Sequence, residues 1–246
     1  MFWQRSYRFL SVGVLGCFAL PLSAPSQDAI PPKNEATPPA QSATRVILLK
    51  PLLRFEDTGS GGSTIVSDGV VLQAGVPNGK QQQKVLPKLV ARDADFESRL
   101  LDAAKTALGS KATIVSPENL SPPGVEASTR LNVLSSRLAR GNVTDDAKTD
   151  LNLLSAAGER ELVLAQSLRI KVGPGGSWNP MTGSITSAMD STLAQAALVC
   201  SNTGKVVWKN EQFIRKASKP DSPEFSKMLT LLYANLEIKS GGIQCE

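Results

Sequence analysis

The stretch ELVLAQSLRIKV, Glu161–Val172, decides how this chain is read. Leu162, Leu164, Leu168, Ile170 and Val172 alternate with Val163, Ala165, Ser167, Arg169 and Lys171, and a period of two sends the two sets to opposite faces of a sheet. The set containing Leu168 and Ile170 must face a core. Gly173, Pro174, Gly175, Gly176, Trp178, Asn179 and Pro180 then form a hairpin connection, followed by Thr192–Cys200, which is apolar on both faces as a covered central strand is. Asn202-Thr203-Gly204 supplies a turn, and Lys205–Phe213 returns as a third strand with Val206 and Trp208 assigned to one face. Glu161–Lys216 therefore predicts an antiparallel meander.

Before the meander, helix and strand alternate. Val46–Leu49 is an apolar run ending at Pro51, which predicts a buried strand followed by a turn. Glu56–Gln83 is dominated by glycine and polar residues apart from Val70-Val71-Leu72, so a long excursion with at most one added hairpin is expected. Phe96, Leu100, Leu101, Ala104 and Leu108 fall on one stripe of a helix over Asp93–Leu108, with Asp93 and Asp95 at the end where a cap and the dipole favour acids and Gly109 at its close. Ala112–Ser116 reads as a short strand. Two helices follow, Val125–Arg140 presenting Leu131, Leu134 and Leu138, and one capped by Thr144 that presents Ala147, Leu151 and Leu154. After the meander Ser222 caps a last helix with Pro223 at its first position, and Phe225, Met228, Leu229, Leu232 and Leu236 form its core stripe. The expected fold class is α/β (α+β): a single domain over 45–246, with a mixed sheet and a carboxyl-terminal antiparallel meander covered by helices.

The amino terminus points to export. Met1–Ala24 holds Arg5 and Arg8, no acid, and an apolar run from Phe9 to Leu22 that is too short to span a bilayer comfortably, so 1–26 reads as a secretory signal. Two processing routes stay open: simple cleavage near Ala24-Pro25-Ser26, or acylation of Cys17 within Val14-Leu15-Gly16-Cys17, which resembles a lipobox. Residues 27–44 are rich in proline and polar side chains and read as a tether. The expected location is the periplasm or the outer membrane, with membrane contact only through a lipid on Cys17.

Chemistry is sparse. The chain has no histidine, which excludes Ser-His-Asp and Cys-His catalysis, and with two cysteines after the signal it argues against a zinc site. No cofactor or metal is expected. Without Arg5 and Arg8, 25 basic residues face 22 acids, a formal charge of +3, and no run interleaves basic and aromatic residues, so nucleic acid is not an expected partner. Cys200 and Cys245 either pair in an oxidising compartment or leave Cys200 as a small core residue. Asp57-Thr58-Gly59-Ser60 matches the tripeptide around an aspartic-protease carboxylate but lacks a second copy, and a solvated turn explains it as well. Gly75–Lys80 fails the phosphate-loop spacing. Asp190 and Gln195 read as strand-margin residues or backbone partners, and Trp178 with Met181, near the hairpin tip, are candidate partner contacts.

Ala196-Ala197-Leu198-Val199, Thr203-Gly204-Lys205-Val206-Val207-Trp208 and Asn210-Glu211 resemble the closing hairpin of bacterial envelope domains. These are the group of the curli secretion lipoprotein, the lipoprotein activators of penicillin-binding proteins and the TolB amino-terminal domain. The order strand, helix, strand, helices, meander is similar to theirs over most of Arg45–Ala217, although the Gly-rich excursion after the first strand departs from it. The resemblance implies a non-enzymatic envelope protein that binds or assembles with another protein or a cell-wall component. The alternatives are a secreted carboxylate-dependent hydrolase using Asp57 and an oligomeric secretion component.

Overall fold

The structure, a computed structural model, describes residues 44–58, 62–75, 86–155, 161–173, 177–179, 184–186, 190–236, 238 and 245. All belong to one compact unit, Ala40–Glu246. The signal, the tether up to residue 43, Cys17, Gly59, Ser60 and Met181 lie outside the described residues.

In chain order the strands are β1 (Thr44–Leu48), β2 (Leu52–Asp57), β3 (Gly62–Ser67), β4 (Val70–Gly75), β5 (Ala112–Val115), β6 (Glu161–Val172), β7 (Ser177–Asn179), β8 (Ser184–Thr186), β9 (Ser191–Cys200) and β10 (Val206–Ile214). The helices are α1 (Leu86–Val90), α2 (Asp93–Leu108), α3 (Pro122–Ala139), α4 (Asp145–Leu154) and α5 (Pro223–Tyr233). The expected α/β class holds: a mixed sheet carries the antiparallel meander β6-β9-β10, with β7 and β8 as a separate small hairpin in the connection.

Strand β6 is the axis of the sheet. One edge pairs antiparallel with β9, and the other is shared by two parallel strands, β1 along Glu161–Leu164 and β2 along Ser167–Val172. The chain kinks between them at Lys50-Pro51, where proline has no N–H to give a ladder, while Leu49 N still donates to Leu164 O at 3.1 Å. The sheet forks there, β1 leading to β5 and β2 to the β3-β4 hairpin. The turn expected after Pro51 is thus corrected to a second strand. Its sequence, LLRFED, buries Leu53 and Phe55 at a period of two.

Helices cover both faces. On one, Leu86 and Leu89 of α1, Phe96, Leu100 and Leu108 of α2, and Phe225, Met228 and Leu232 of α5 pack against Leu162, Leu164, Leu168, Ile170 and Leu198. Phe96 bridges Phe55 and Phe225, with ring centroids 5.8 and 5.3 Å away. On the other, Leu131 and Leu138 of α3 and Ala147, Leu151 and Leu154 of α4 pack on Val163, Ala165, Ala197 and Val199. Among the described residues, no helix is long and apolar enough to cross a membrane.

Local signals held at most helix ends. Thr144 Oγ1 accepts from Ala147 N and Ser222 Oγ from Phe225 N, at 3.4 and 3.2 Å. Helix α3 begins at Pro122 rather than Val125, with prolines in its first turn. Asp93 does not cap α2: Arg92 holds that position, and Asp93 and Asp95 lie in the first turn. A further correction concerns β10. A register shift between Val206 and Trp208 sends Val206 to the α3/α4 side and Trp208 to the α5 side, where it stacks on Tyr233 at 6.2 Å.

Candidate interaction face

The α3/α4 layer covers only half of its side of the sheet. Along β6 the residues facing it are Val163 and Ala165, both fully buried, then Ser167, Arg169 and Lys171, with Arg169 exposed. Strand register extends this second half sideways. Arg169 lies between Leu193 of β9 and Arg54 of β2, and the row continues outward to Phe213 on one side and to Ser67 and Val70 on the other. One pleat further on, Lys171, Glu56, Ile65 and Leu72 stand side by side. Phe213, Val70 and Leu72 are each 59% exposed, so this half of the face combines large apolar groups with charge.

Its electrostatic centre is Glu56. The carboxylate is 4% exposed although it stands on the open side, because two guanidiniums lie over it. Arg169 Nη2 donates to Glu56 Oε2 at 2.6 Å, and Arg54 Nε is an ion-pair contact of Oε1 at 2.6 Å without well-directed hydrogen-bond geometry. Two guanidiniums share one carboxylate, so both keep N–H groups for other acceptors; their side chains are 46% and 51% exposed. Along the border with the covered half runs a polar ladder: Ser167 Oγ donates to Gln195 Oε1 at 3.4 Å and Gln195 Nε2 to Glu211 Oε2 at 3.1 Å.

Two grooves lie on the opposite side. A groove of about 260 Å³ is lined by Lys50, Leu53, Phe55, Val66, Asp68, Asp93 and Glu97. Its acids do not make a desolvated pair: Asp68 and Asp93 are exposed, and Lys50 Nζ lies 3.6 Å from Glu97 Oε2. Partial burial nonetheless raises the Asp68 carboxyl above its usual range, opposed by the Lys50 charge. A second groove, about 330 Å³, runs along α2 to Asp221 and is closed by ion pairs from Arg92 to Asp95 at 2.8 Å and Asp221 at 3.1 Å. Among the described residues no cluster of His, Cys, Asp and Glu could hold a metal ion.

The residues singled out from sequence fall as follows. Asp57 is half-exposed at the end of β2, beside Val172, and Thr58 N donates to Val172 O at 3.0 Å, continuing the ladder. Asp190 Oδ1 accepts from Gly173 N at 2.9 Å, a strand-margin role, whereas Gln195 joins side chains across three strands. Trp178 lies on β7, and Met181 lies outside the described residues. Cys200 and Cys245 form a disulfide, with Cα atoms 5.7 Å apart. The Arg54-Glu56-Arg169 cluster was not anticipated, though LLRFED places Arg54 and Glu56, and SLRIKV places Arg169 and Lys171, on the face opposite the core at a period of two.

No family model matches the chain, and no curated protein matches it. Among solved structures, the crystal structure of lipoprotein GNA1162 from Neisseria meningitidis aligns with 78% of this chain and 96% of that one, at 15% identity and a TM-score of 0.31.

Proposed function

We propose that the chain is an exported bacterial envelope protein that binds a protein partner through the open half of its sheet and catalyses nothing. The observation that carries this reading is the Arg54-Glu56-Arg169 cluster set beside the exposed Phe213, Val70 and Leu72 on the half of the sheet face that α3 and α4 leave uncovered. A partner that fits presents carboxylates beside apolar side chains, because guanidiniums with spare N–H groups take carboxylates with directional hydrogen bonds. Charged groups of this kind contribute to partner choice and encounter rate, while Phe213 and Leu193 supply area to be buried.

Support for export comes from the signal-like Met1–Ala24 and from the disulfide, which persists in oxidising compartments. Support for the envelope group comes from the Thr203–Trp208 hairpin. The fate of Cys17 is read by the intact mass of the mature protein, which reports the cleavage site and any acyl chain together.

The test of the binding role pairs Arg54→Ala with Arg169→Ala. Capture of the native partner is expected to fall at least about ten-fold with the fold retained, since two charge-assisted contacts are lost. Unchanged capture contradicts the assignment. A hydrolytic activity that disappears in a folded Asp57→Ala protein overturns the non-catalytic reading instead.

A further inference from the structure

The three sheet edges are not treated alike. At β10, the edge strand contains Lys209, Asn210 and Glu211, carries a bulge, and has Asn210 Nδ2 donating to Leu231 O and Leu232 O at the end of α5. At the other fork, β5 spans four residues. These are the ordinary means of blocking stray strand pairing: charge, irregularity, cover and shortness. Among the described residues, strand β4 shows none of them. Its sequence, VVLQAG, contains no charge and no proline, and Val70, Val71 and Leu72 are 59%, 56% and 59% exposed.

The hydrogen-bonding side of that edge follows from the turn. Asp68 and Gly69 join β3 to β4 with φ of 46° and 77°, the paired positive values of a two-residue hairpin turn, and Ser67 is opposite Val70. In such a hairpin the flanking pair exchanges its hydrogen bonds inward, so Val70 and Leu72 bond to β3 while the N–H and C=O of Val71 and Gln73 point outward. Among the described residues no strand pairs with that side.

We infer that β4 is the interface of a two-fold dimer, in which the β4 strands of two copies pair antiparallel. The segment is self-complementary. Centred on Val71, the pairing sets Val70 of one copy against Leu72 of its partner and brings no charged residue opposite a like charge anywhere from Val70 to Gly75. Side chains on both sides of the sheet contribute, since Val71 projects opposite to Val70 and Leu72. The two open faces then join into one continuous surface. The seam shares Val70 and Leu72 with the proposed binding face, but the binding role is tested at Arg54 and Arg169, and Val71 projects to the other side of the strand, so failure of either reading is read separately.

Sedimentation equilibrium of the exported chain, with amide hydrogen exchange at matched concentrations, tests it. The expected result is a reversible monomer–dimer equilibrium, with protection of the Val71 and Gln73 amides rising with the dimer fraction. Val71→Pro removes an outward N–H while leaving the β3-β4 bonds in place, and Leu72→Lys sets charge against the apolar seam. Each is expected to weaken the dimer at least about ten-fold with melting little changed. A monomer at all concentrations overturns the inference, whether the two amides exchange freely or are protected from within the chain. So does open-ended association, or a dimer that survives both substitutions in folded protein.

Discussion

Strand β6 meets two different environments on one and the same face. Val163 and Ala165 lie beneath α3 and α4, whereas Ser167, Arg169 and Lys171, continuing the same row, lie beyond the helices. The backbone and its pairing to β9 are continuous through both halves, while the partner on the other edge changes from β1 to β2, so the difference is made by the side chains, the helix layer and the fork at Pro51. Small apolar residues let a helix approach closely; charged ones retain their water. A sheet sealed over half of one side and left chemically active over the rest has separated stability from recognition along a single strand.

The separation breaks most visibly under Ala165→Glu. A carboxylate at this fully buried position would stand among apolar side chains of the α3/α4 layer, and the expected loss exceeds about 4 kcal/mol, enough to consume much of a domain's stability. Arg169→Lys, four residues along the same face, is expected to cost under about 1 kcal/mol. Chemical denaturation of both proteins reads the contrast. Comparable losses would erase the distinction between the halves.

Next in size is the Cys200–Cys245 disulfide, which ties the tail to the covered end of β9. The cysteines are 45 residues apart, so Cys245→Ser is expected to cost up to about 4 kcal/mol through the freedom restored to the unfolded chain. Partner capture by the open half should survive at temperatures below the lowered melting point.

On the side of the sheet that carries α1, α2 and α5, Tyr233 OH donates to the buried Gln166 Oε1 at 2.6 Å, and burial holds the phenol far above its usual titration range. Gln166 Nε2 has no partner among the described residues. Tyr233→Phe orphans Oε1 as well, an expected loss of about 1–3 kcal/mol, while adding Gln166→Leu should recover most of it. A double-mutant cycle by thermal melting measures this coupling. On the open half the comparable cut, Glu56→Gln, leaves two half-exposed guanidiniums for water to solvate, and about 1 kcal/mol or less is expected.

The smallest effect has the opposite sign. Asp68 holds a positive φ that asparagine also tolerates, and its carboxyl is raised by burial, so ionising it opposes folding. The folded state therefore binds this proton more tightly than the unfolded one. The penalty is absent below the ordinary carboxylate range near 3.8, grows as pH rises through the raised value, and stays constant above it. Asp68→Asn should be slightly more stable at neutral pH, with the gain vanishing in acid.

Much of this contrast was legible. The row Val163, Ala165, Ser167, Arg169, Lys171 shows the change from covered to open before any coordinates, and the helix stripes carried their own caps. Strand β2 was hidden by Pro51, which normally ends a strand; here it marks where the ladder of β6 passes from one partner to another. The bulge in β10 left no trace in KVVWK, since an extra residue in an apolar run alters the register without altering the composition. Pairing of the two cysteines depends on where the tail returns, which spacing does not determine. The guanidinium pair needed the parallel register of β2 on β6, a non-local fact that no local period contains.

The most direct test places a photo-reactive side chain at Leu193, in the open half, and in a second protein at Val133, 71% exposed on α3, and irradiates cells exporting each. The account predicts one discrete adduct from Leu193, abolished by Arg54→Ala with Arg169→Ala, and none from Val133. Adducts from Val133 alone, or a Leu193 adduct indifferent to the arginines, would contradict it.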